Sequence, residues 1–456
     1  MQALNVVILA AGKGTRMCSK LPKVLHTLGG KPLVQHAVAA ARQLEAKTTH
    51  VVIGHGAEAI RAALAQENLN FVLQQEQRGT GHAVLQALPQ LDRNALALVL
   101  YGDVPLIRVE TLREFLALCA TGSLAVLTCE VQDPTGLGRI LRDAQGNISA
   151  IVEHKDATDA ERRITEINSG ILAAPVARLH EWLPQLGANN AQGEYYLTDL
   201  VSIALAAGYA VRTLRCADAV EISGVNNRVQ LAQLEREYQA RRTHHLMLNG
   251  VTLRDPARVD IRGDLVCASD VEIDVNVILE GKVEIAEDVK IGPNCVLKNC
   301  RIGAATVIEA NSVLENAVIG RACHLGPFAR IRPGAEVEDE VRIGNFVEIK
   351  QARIGARSKV NHLSYVGDSV LGSDVNVGAG TITCNYDGAN KSRTVIGDRV
   401  FIGSNTALVA PVNIASGATI GAGSVITQDV GQDQLAVARG QQRNIDGWQR
   451  PTKRST

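Results

Sequence analysis

The sequence predicts a Rossmann-like α/β domain with a mostly parallel sheet, joined by a long helix to a parallel β-helix. Three observations support this prediction. Short aliphatic strands alternate with helical stretches up to about residue 225, a polar helical stretch follows, and aliphatic residues then recur at every sixth position to about residue 426. The predicted boundaries are residues 1–226 for the α/β domain, 227–249 for the linker helix and 250–456 for the β-helix with its C-terminal tail.

The α/β prediction rests on short apolar runs separated by helical stretches. Strands that are apolar along their whole length are typical of a parallel sheet with helices on both faces. The predicted elements are strands over residues 6–9, 51–53, 96–100 and 124–128 and helices over residues 32–44 and 110–119.

The stretch that follows reads as one long connecting helix. It is rich in Arg, Glu and Gln. It also carries a loose helical stripe of Val229, Leu231, Leu234 and Tyr238. An Asn cap begins it and Asn249-Gly250 ends it.

The β-helix prediction rests on a repeat with a period of six. At every sixth position an aliphatic side chain is expected to point into the prism. Four positions later, two before the next aliphatic residue, a small or β-branched side chain is expected to point inward as well, because alternate side chains of a strand share a face. The repeat predicts a prism of about three hexads per coil. The aliphatic residues form three series: Ile273, Leu279, Ile285, Ile291 and Leu297; Leu325, Ile331, Val337, Ile343 and Ile349; and Ile396, Ile402, Leu408, Ile414, Ile420 and Ile426.

Departures from this repeat indicate where function should be sought. Steps of five residues, such as Leu297 to Ile302 and Ile349 to Ile354, predict shortened corners. A longer polar interruption over residues 383–394 predicts a projecting loop, and such loops carry binding more often than packing.

Composition excludes several classes of function. Lys plus Arg and Asp plus Glu both number 47 in 456 residues, so no charge imbalance favours nucleic acid or an anionic membrane as a partner. No apolar run approaches the roughly 18 residues of a spanning helix, and no secretory signal is visible. The nine cysteines lack paired metal spacing, so reduced thiols in a cytoplasmic protein are expected.

A glycine-rich turn follows the first strand. Leu-Ala-Ala-Gly-Lys-Gly-Thr-Arg-Met occupies residues 9–17 and Leu-Pro-Lys residues 21–23. Small residues let backbone N–H groups approach a phosphate or base, while Lys13, Arg16 and Lys23 bring positive charge. A dinucleotide fingerprint would need Gly in place of Met17, and a Walker loop would need Ser or Thr in place of Gly14.

Asp103 lies just beyond the carboxyl end of the strand predicted over residues 96–100, and this edge of an open α/β sheet is where ligands bind. An oxygen ligand there suits Mg²⁺. The alternative is an aspartate that caps the next turn, and Asn226 has the same two interpretations, as a metal ligand or as the cap of the linker helix.

On the β-helix the register places two cations together. Lys350 follows Arg332 by eighteen residues, or one coil, so the two should stack about 4.8 Å apart, and Gly367 follows in the same column. Like charges this close repel unless an anion lies between them, which favours a phosphate site over two solvated charges. His362 lies on the coil of Gly367, and a neutral imidazole is a suitable general base.

The motifs resemble those of sugar-1-phosphate nucleotidylyltransferases. After the glycine-rich turn come Gln-Arg-Gly-Thr-Gly at residues 77–81, Tyr-Gly-Asp at 101–103, Asn-Ser-Gly at 168–170 and Val-Asn-Asn at 225–227. With the repeat attached, nearly the whole chain resembles the bacterial enzymes that are both N-acetylglucosamine-1-phosphate uridylyltransferases and glucosamine-1-phosphate N-acetyltransferases; the match is weakest after Arg439.

This resemblance implies uridylyl transfer from UTP to N-acetylglucosamine 1-phosphate in the N-terminal half. It assigns Mg²⁺ to Asp103 and Asn226, the triphosphate to Arg16 and Lys23, and the sugar to residues that include Gly138. The residues carried over for this site are Leu9, Ala10, Ala11, Gly12, Arg16, Lys23, Gln74, Gly79, Thr80, Tyr101, Gly102, Asp103, Gly138, Glu153, Asn168 and Asn226.

For the β-helix the resemblance implies a left-handed coil, a homotrimer, and acetyl transfer from acetyl-CoA with His362 as base. Ser404 is a candidate oxyanion donor. The residues carried over are Arg332, Lys350, Tyr365 and Asn376 for glucosamine 1-phosphate, and Ala379, Asn385, Tyr386, Ser404, Ala422 and Arg439 for acetyl-CoA. The alternative is an active nucleotidylyltransferase that carries a structural or regulatory β-helix.

Overall fold

The computed structural model describes residues 3–451 and 453, and the chain separates into two compact units between Gln239 and Ala240. The division falls inside one long helix, Arg228–Leu248, in the region where the sequence predicts the linker. Each unit is described by itself below.

The first unit is built on a mixed, mostly parallel sheet whose strands follow the order β11-β7-β10-β6-β1-β4-β5. β10 runs antiparallel to β6 and β7, and the β8–β9 hairpin extends from it. The strands are β1 Leu4–Leu9, β2 Thr27–Leu28, β3 Lys31–Pro32, β4 Thr48–Ile53, β5 Asn70–Leu73, β6 Leu96–Tyr101, β7 Leu124–Glu130, β8 Arg139–Arg142, β9 Ile148–Val152, β10 Glu166–Pro175 and β11 Val211–Cys216.

Helices cover both faces of this sheet, as the alternating pattern predicts. Alternate residues of β1 enter different cores: Val6 and Ile8 pack into one cluster, and Val7 and Leu9 into the other. The helices of this unit are α1 Leu33–Gln43, α2 Ala57–Ala63, α3 Thr80–Ala87, α4 Val109–Ala117, α5 Val176–Trp182 and α6 Leu200–Ala206. The helix that contains the division between the units, α7, is Arg228–Leu248.

Parallel pairing in the middle of the sheet positions the first site. Leu9 at the end of β1 pairs with Tyr101 at the end of β6. The glycine-rich turn after β1 and Asp103 after β6 therefore leave the same edge of the sheet side by side.

The second unit is a parallel β-helix with two sets of strands in its described part. One set forms a single face: Thr252–Leu253, Glu272–Ile273, Lys290–Ile291, Val307–Ile308, His324–Leu325, Arg342–Asn345, Lys359–His362, Asn376–Val377, Phe401–Ile402, Thr419–Ile420 and Leu435–Ala436. The other set comprises Val259–Cys267, Val277–Ile285, Val296–Lys298, Arg301–Ile302, Val313–Glu315, Val318–Ile319, Arg330–Ile331, Glu336–Val337, Glu348–Lys350, Arg353–Ile354, Tyr365–Gly367, Ser369–Leu371, Ile382–Cys384, Thr394–Ile396, Ala407–Val409, Val412–Ile414 and Val425–Ile426.

The six-residue repeat explains this packing. Ile273 pairs with Ile291 eighteen residues later, and Ile291 pairs with Ile308 seventeen residues later, because one corner has lost a residue. The predicted aliphatic residues all lie in one continuous core. Corners recur with a positive φ, often at Asn or Asp, the residues that tolerate this conformation best after glycine. The predicted fold class is thus confirmed for both halves.

Two further predictions concern the whole chain. No helix among residues 3–451 is both long enough and apolar enough to cross a membrane. All nine cysteines are free thiols, as their scattered positions predict.

Two candidate active sites

The first site is a cavity of about 580 Å³ at the carboxyl edge of the sheet. Most of its wall comes from the glycine-rich turn, the start of α3 and the end of β6. Its lining residues are Leu9, Ala10, Ala11, Gly12, Lys13, Lys23, Val24, Gln74, Gln77, Gly79, Thr80, Ala83, Tyr101, Asp103 and Glu194.

The two glycines of the turn have different physical roles. A Cβ on Gly12 would meet no atom within 4 Å, so this backbone faces open space where a ligand can approach it. Gly14 has a φ of 60°, and a Cβ there would lie 2.6 Å from Lys23 Cβ. Gly14 is therefore required for the chain to bring Lys23 next to the turn.

Positive side chains and oxygen donors converge at one end of the cavity. The Lys23 ammonium forms a salt bridge with Asp103, whose side chain is only 16% exposed, and lies 3.2 Å from Asn226 Oδ1. Arg16 Nη2 donates to the same Asn226 oxygen at 2.9 Å. The two predicted metal ligands thus present their oxygens to a single cationic group, although 123 residues separate them in the chain.

The opposite wall is a buried turn that ends in α3. Gln74, 3% exposed, donates from Nε2 to the Gly79 carbonyl at 3.1 Å and lies 3.1 Å from His82 Nδ1. Gly79 has a φ of 104°, and a Cβ there would lie 2.6 Å from the Tyr195 carbonyl oxygen. This wall is rigid because backbone packs directly on backbone.

A third group of predicted residues forms a row beside the cavity. The N–H of Asn168 donates to the Gly138 carbonyl at 2.9 Å, and a Cβ on Gly138 would lie 3.3 Å from Glu153 Oε1. Burial raises the pKa of Glu153, whereas a hydrogen bond from Thr198 lowers it. Burial also raises the pKa of Tyr101 far above its usual range, and the Glu153 charge adds to this effect.

The structure brings together most of the predicted uridylyltransferase residues. Ten of them line the cavity, and Arg16 and Asn226 join it through Lys23. The sequence did not indicate four lining residues, namely Val24, Gln77, Ala83 and Glu194. Gln77 is the first residue of the Gln-Arg-Gly-Thr-Gly motif at residues 77–81, so its closeness in sequence to Gly79 and Thr80 is a signal for it. Glu194 could not be found in this way, because it comes from a loop more than 100 residues further along the chain.

The second site follows one column of the β-helix. Asn345 pairs with His362, and because Val360 pairs with Val377 the next residue in the column is Ala379. The Asn405 N–H donates to the Ala379 carbonyl, and the pairing of Val377 with Ile402 and of Ile402 with Ile420 continues the column. The column contains His362, Ala379, Ser404 and Ala422, at steps of about 4.8 Å. The predicted base and three predicted acetyl-CoA residues therefore share one edge of the prism.

The two cations stack as predicted, but the stack does not require a bound phosphate as its counter-ion. Ile331 pairs with Ile349, which places Arg332 beside Lys350. Glu348 accepts from Arg332 Nη1 at 2.6 Å, so a carboxylate of the chain itself neutralises the stack. The predicted gap at Gly367 is also filled, because a Cβ there would lie 2.6 Å from Cζ of Tyr365. The cation pair alone consequently does not demand a phosphate.

The projecting loop is present and shorter than predicted. Thr383 and Thr394 are buried in strands, so the loop proper lies between them. Asn385 is 8% exposed and donates to Asp368, with Tyr365 Oη 3.4 Å away, whereas Tyr386 is 60% exposed. Asn385 thus joins the loop to Tyr365 and Asp368, whereas the Tyr386 ring is exposed and its hydroxyl donates to the Gly388 carbonyl at 2.6 Å.

Other predicted residues occupy the same face. Arg439 Nη1 donates to the Ala422 carbonyl at 2.8 Å, which ties the start of the tail to the column. Asn376 begins the strand Asn376–Val377, which lies between the strands Lys359–His362 and Phe401–Ile402, and it pairs with Lys359.

The α/β unit with its cavity and the hexapeptide coil define a nucleotidyltransferase joined to a hexapeptide-repeat transferase. Three family models match the chain: a MobA-like NTP transferase domain over residues 6–187, a GMPPB C-terminal domain over residues 261–338, and the bacterial transferase hexapeptide, six repeats, over residues 393–428.

Full-length relatives make the assignment more specific. The chain is 58% identical over 451 residues to the bifunctional protein GlmU of Pseudomonas entomophila (strain L48), with 99% of each chain covered. It is 57% identical to GlmU of Pseudomonas putida (strain GB-1), again with 99% of each chain covered. It is also 57% identical to GlmU of Stutzerimonas stutzeri (strain A1501), with 99% of this chain and 100% of the relative covered. The chain belongs to the bifunctional GlmU family.

Family membership confirms the predicted class of enzyme. The chain is a bifunctional uridylyltransferase and acetyltransferase of UDP-N-acetylglucosamine biosynthesis, and its substrates include a nucleotide and acetyl-CoA.

Proposed function

We propose that the two reactions run at the two sites described above, in domains formed by residues 1–226 and 250–456 with residues 227–249 as the linker. Uridylyl transfer belongs to the cavity of the α/β unit and acetyl transfer to the His362 column. The observation that carries this proposal is the separate convergence of the two residue sets: the first surrounds one cavity, and the second follows one edge of the β-helix.

In the first reaction a phosphate oxygen of N-acetylglucosamine 1-phosphate attacks the α-phosphorus of UTP, and pyrophosphate leaves. The protein supplies position and charge rather than covalent chemistry. Gln74, Gly79 and Thr80, which belong to the wall that ends in α3, bind the uracil. Arg16 and Lys23 neutralise the triphosphate, and their present hydrogen bonds to Asn226 show that they already reach this end of the cavity.

The sugar of this first reaction is assigned to the row formed by Glu153, Gly138 and Asn168. Tyr101 and Gly102 complete the wall between this row and the nucleotide. A carboxylate and an amide in one row match the hydroxyl and acetamido groups of the sugar, since each can be paired with a complementary partner.

A magnesium ion fits this same end of the cavity, beside Arg16 and Lys23. The carboxylate of Asp103 and the amide oxygen of Asn226 are the hard oxygen donors this ion prefers, and both already face a cation, the Lys23 ammonium. These two residues would hold the ion, which would supply further neutralisation of phosphate charge.

In the second reaction the amine of glucosamine 1-phosphate attacks the thioester carbonyl of acetyl-CoA. Asn345 Oδ1 lies 3.2 Å from His362 Nδ1; when it accepts the Nδ1 proton, Nε2 is free to take the proton of the substrate ammonium. The C–N bond then forms, the C–S bond breaks, and coenzyme A departs as the thiol. Ser404, two coils from His362, is the proposed oxyanion donor.

The remaining residues of this second site bind its substrates. Arg332, Lys350, Tyr365 and Asn376 bind glucosamine 1-phosphate, with Glu348 setting the orientation of Arg332. The acetyl-CoA residues are Ala379, Asn385, Tyr386, Ser404, Ala422 and Arg439.

The active form is proposed to be a cytoplasmic homotrimer of left-handed prisms that share their acetyl-transfer sites. Phe328 and Phe346 support a partner surface here, because they stack at 5.3 Å on successive coils while being 48% and 57% exposed. Phe346 lies two residues before the strand Glu348–Lys350 and directly follows Asn345, the hydrogen-bond partner of His362.

Paired assays on the purified wild-type protein test this assignment. Coenzyme A release is measured with acetyl-CoA and glucosamine 1-phosphate, and pyrophosphate release with UTP and N-acetylglucosamine 1-phosphate, each with and without a chelator of Mg²⁺. We expect both activities, and we expect the chelator to abolish only pyrophosphate release. The molecular mass measured in solution by light scattering should be that of a trimer. Pyrophosphate release alone would instead support a nucleotidylyltransferase with a structural β-helix.

A further inference from the structure

Arg139, the first residue of β8, is a buried cation that the proposed reactions do not use. The residue is 1% exposed, and none of its hydrogen-bond acceptors in the described part of the chain is a carboxylate. Its guanidinium donates to the carbonyl oxygens of Leu137 and, at 3.2 Å, Arg162, and Nη2 lies 3.3 Å from His154 Nδ1. Burial lowers the pKa of Arg139 more than the nearby Asp133 carboxylate raises it. A buried charge held mainly by neutral acceptors is costly, so the position is expected to have a purpose beyond packing.

The position of Arg139 in the sheet suggests that purpose. Arg139 pairs with Val152 of β9 and with Ile167 of β10. One step further along the same strands lie Gly138, Glu153 and Asn168, the row assigned to the sugar. Because neighbouring residues of a strand point to opposite faces, the Arg139 side chain lies on the far side of this row.

The hydrogen-bond partners of Arg139 flank that same row. Leu137 directly precedes Gly138, and His154 directly follows Glu153. The guanidinium therefore holds together the two turns that carry Gly138 and Glu153, and it also bonds the carbonyl of Arg162 in the 3-10 helix Glu161–Arg163. The planar guanidinium spreads its donors over two terminal nitrogens, Nη1 and Nη2, which bond separate acceptors here. A lysine ammonium, a single point with three donors, fits this arrangement less well.

We propose that Arg139 is a positioning residue for the sugar phosphate, which fixes the Glu153–Gly138–Asn168 row from behind without touching the substrate. The proposal rests on the proposed assignment of this row to the sugar. The expected effect is selective. Loss of the planar guanidinium of Arg139 should make the sugar-binding row less ordered and leave the wall at Gln74 and Gly79 unchanged.

The test is the kinetics of Arg139→Lys, which keeps the charge and removes the fork. We expect its KM for N-acetylglucosamine 1-phosphate to rise about tenfold or more, while its KM for UTP stays within about twofold. Arg163→Lys, the same exchange at an exposed residue of the neighbouring 3-10 helix Glu161–Arg163, is the matched control and should be unchanged. Circular dichroism and thermal unfolding of the same preparations report whether the α/β unit that carries Arg139 is folded.

Two outcomes would overturn the proposal: an unchanged KM for the sugar phosphate, or an equal rise in both KM values. If Arg139→Lys fails to fold, Arg139→Gln, with equilibrium binding of the sugar phosphate and of UTP in place of turnover, makes the same comparison. Glu153→Gln is measured in parallel. If it raises the KM for the sugar and Arg139→Lys does not, only the positioning role fails; if neither does, the sugar assignment itself fails.

Discussion

Gly79→Ala isolates the uracil wall of the first site. Gly79 precedes α3 with φ 104° and ψ 174°, a conformation that essentially only glycine adopts. An alanine Cβ would also lie 2.6 Å from the Tyr195 carbonyl oxygen and 2.9 Å from its nitrogen, and these backbone atoms cannot rotate away as a side chain would. The backbone must therefore move, and with it the Gly79 carbonyl that Gln74 holds.

The size of the effect follows from this strain. Such a conformation costs a residue with a side chain about 1–3 kcal/mol, and a factor of ten in rate corresponds to about 1.4 kcal/mol. We expect kcat/KM for UTP to fall about ten- to hundredfold, measured as pyrophosphate release, while coenzyme A release changes less than about twofold. Gly187→Ala is the control, because a Cβ there meets no atom within 4 Å. A wild-type kcat/KM for UTP in Gly79→Ala would show that the wall does not need glycine at this position.

Three further predictions concern other parts of the two sites. Asp103→Asn should lower Mg²⁺-dependent pyrophosphate release about a hundredfold and leave coenzyme A release intact; unchanged Mg²⁺-dependent turnover would remove Asp103 from the metal site. Gly367→Ala should displace the Tyr365 ring and raise the KM for glucosamine 1-phosphate about tenfold, and an unchanged KM would show that the ring does not position this substrate. Burial raises the pKa of Glu153, so as the pH falls this carboxylate should take up its proton at a higher pH than an ordinary glutamate, and sugar-phosphate binding should weaken. Titration calorimetry should show that the affinity for the sugar phosphate depends on pH in this way, and Glu153→Gln should lack the dependence.

Sequence reasoning recovers the β-helix because its information is local. A six-residue period places Ile343 and its equivalents inward whatever the rest of the chain does, and all of the predicted aliphatic positions are buried. The same register places Arg332 beside Lys350. Alternating strands and helices likewise predict the α/β unit, although the antiparallel course of β10 has no comparable local signal.

The side-chain partners inside the sites could not be read from the sequence. Nothing in the repeat shows that Glu348 would bond Arg332, because the direction of a long side chain depends on its rotamer rather than on register. The bond from Lys23 to Asp103 spans 80 residues, and Glu194 enters the same cavity from a loop. Such contacts are set by the tertiary fold, which brings distant loops to one edge of the sheet.

If one chain carries two independent active sites, His362→Ala should block only one of two routes to UDP-N-acetylglucosamine. The formation of this product is measured from two starting sugars. We expect a wild-type rate from N-acetylglucosamine 1-phosphate and UTP, and a loss of about a hundredfold or more from glucosamine 1-phosphate, acetyl-CoA and UTP. A folded variant that loses both routes, or neither, would contradict the independence of the two sites.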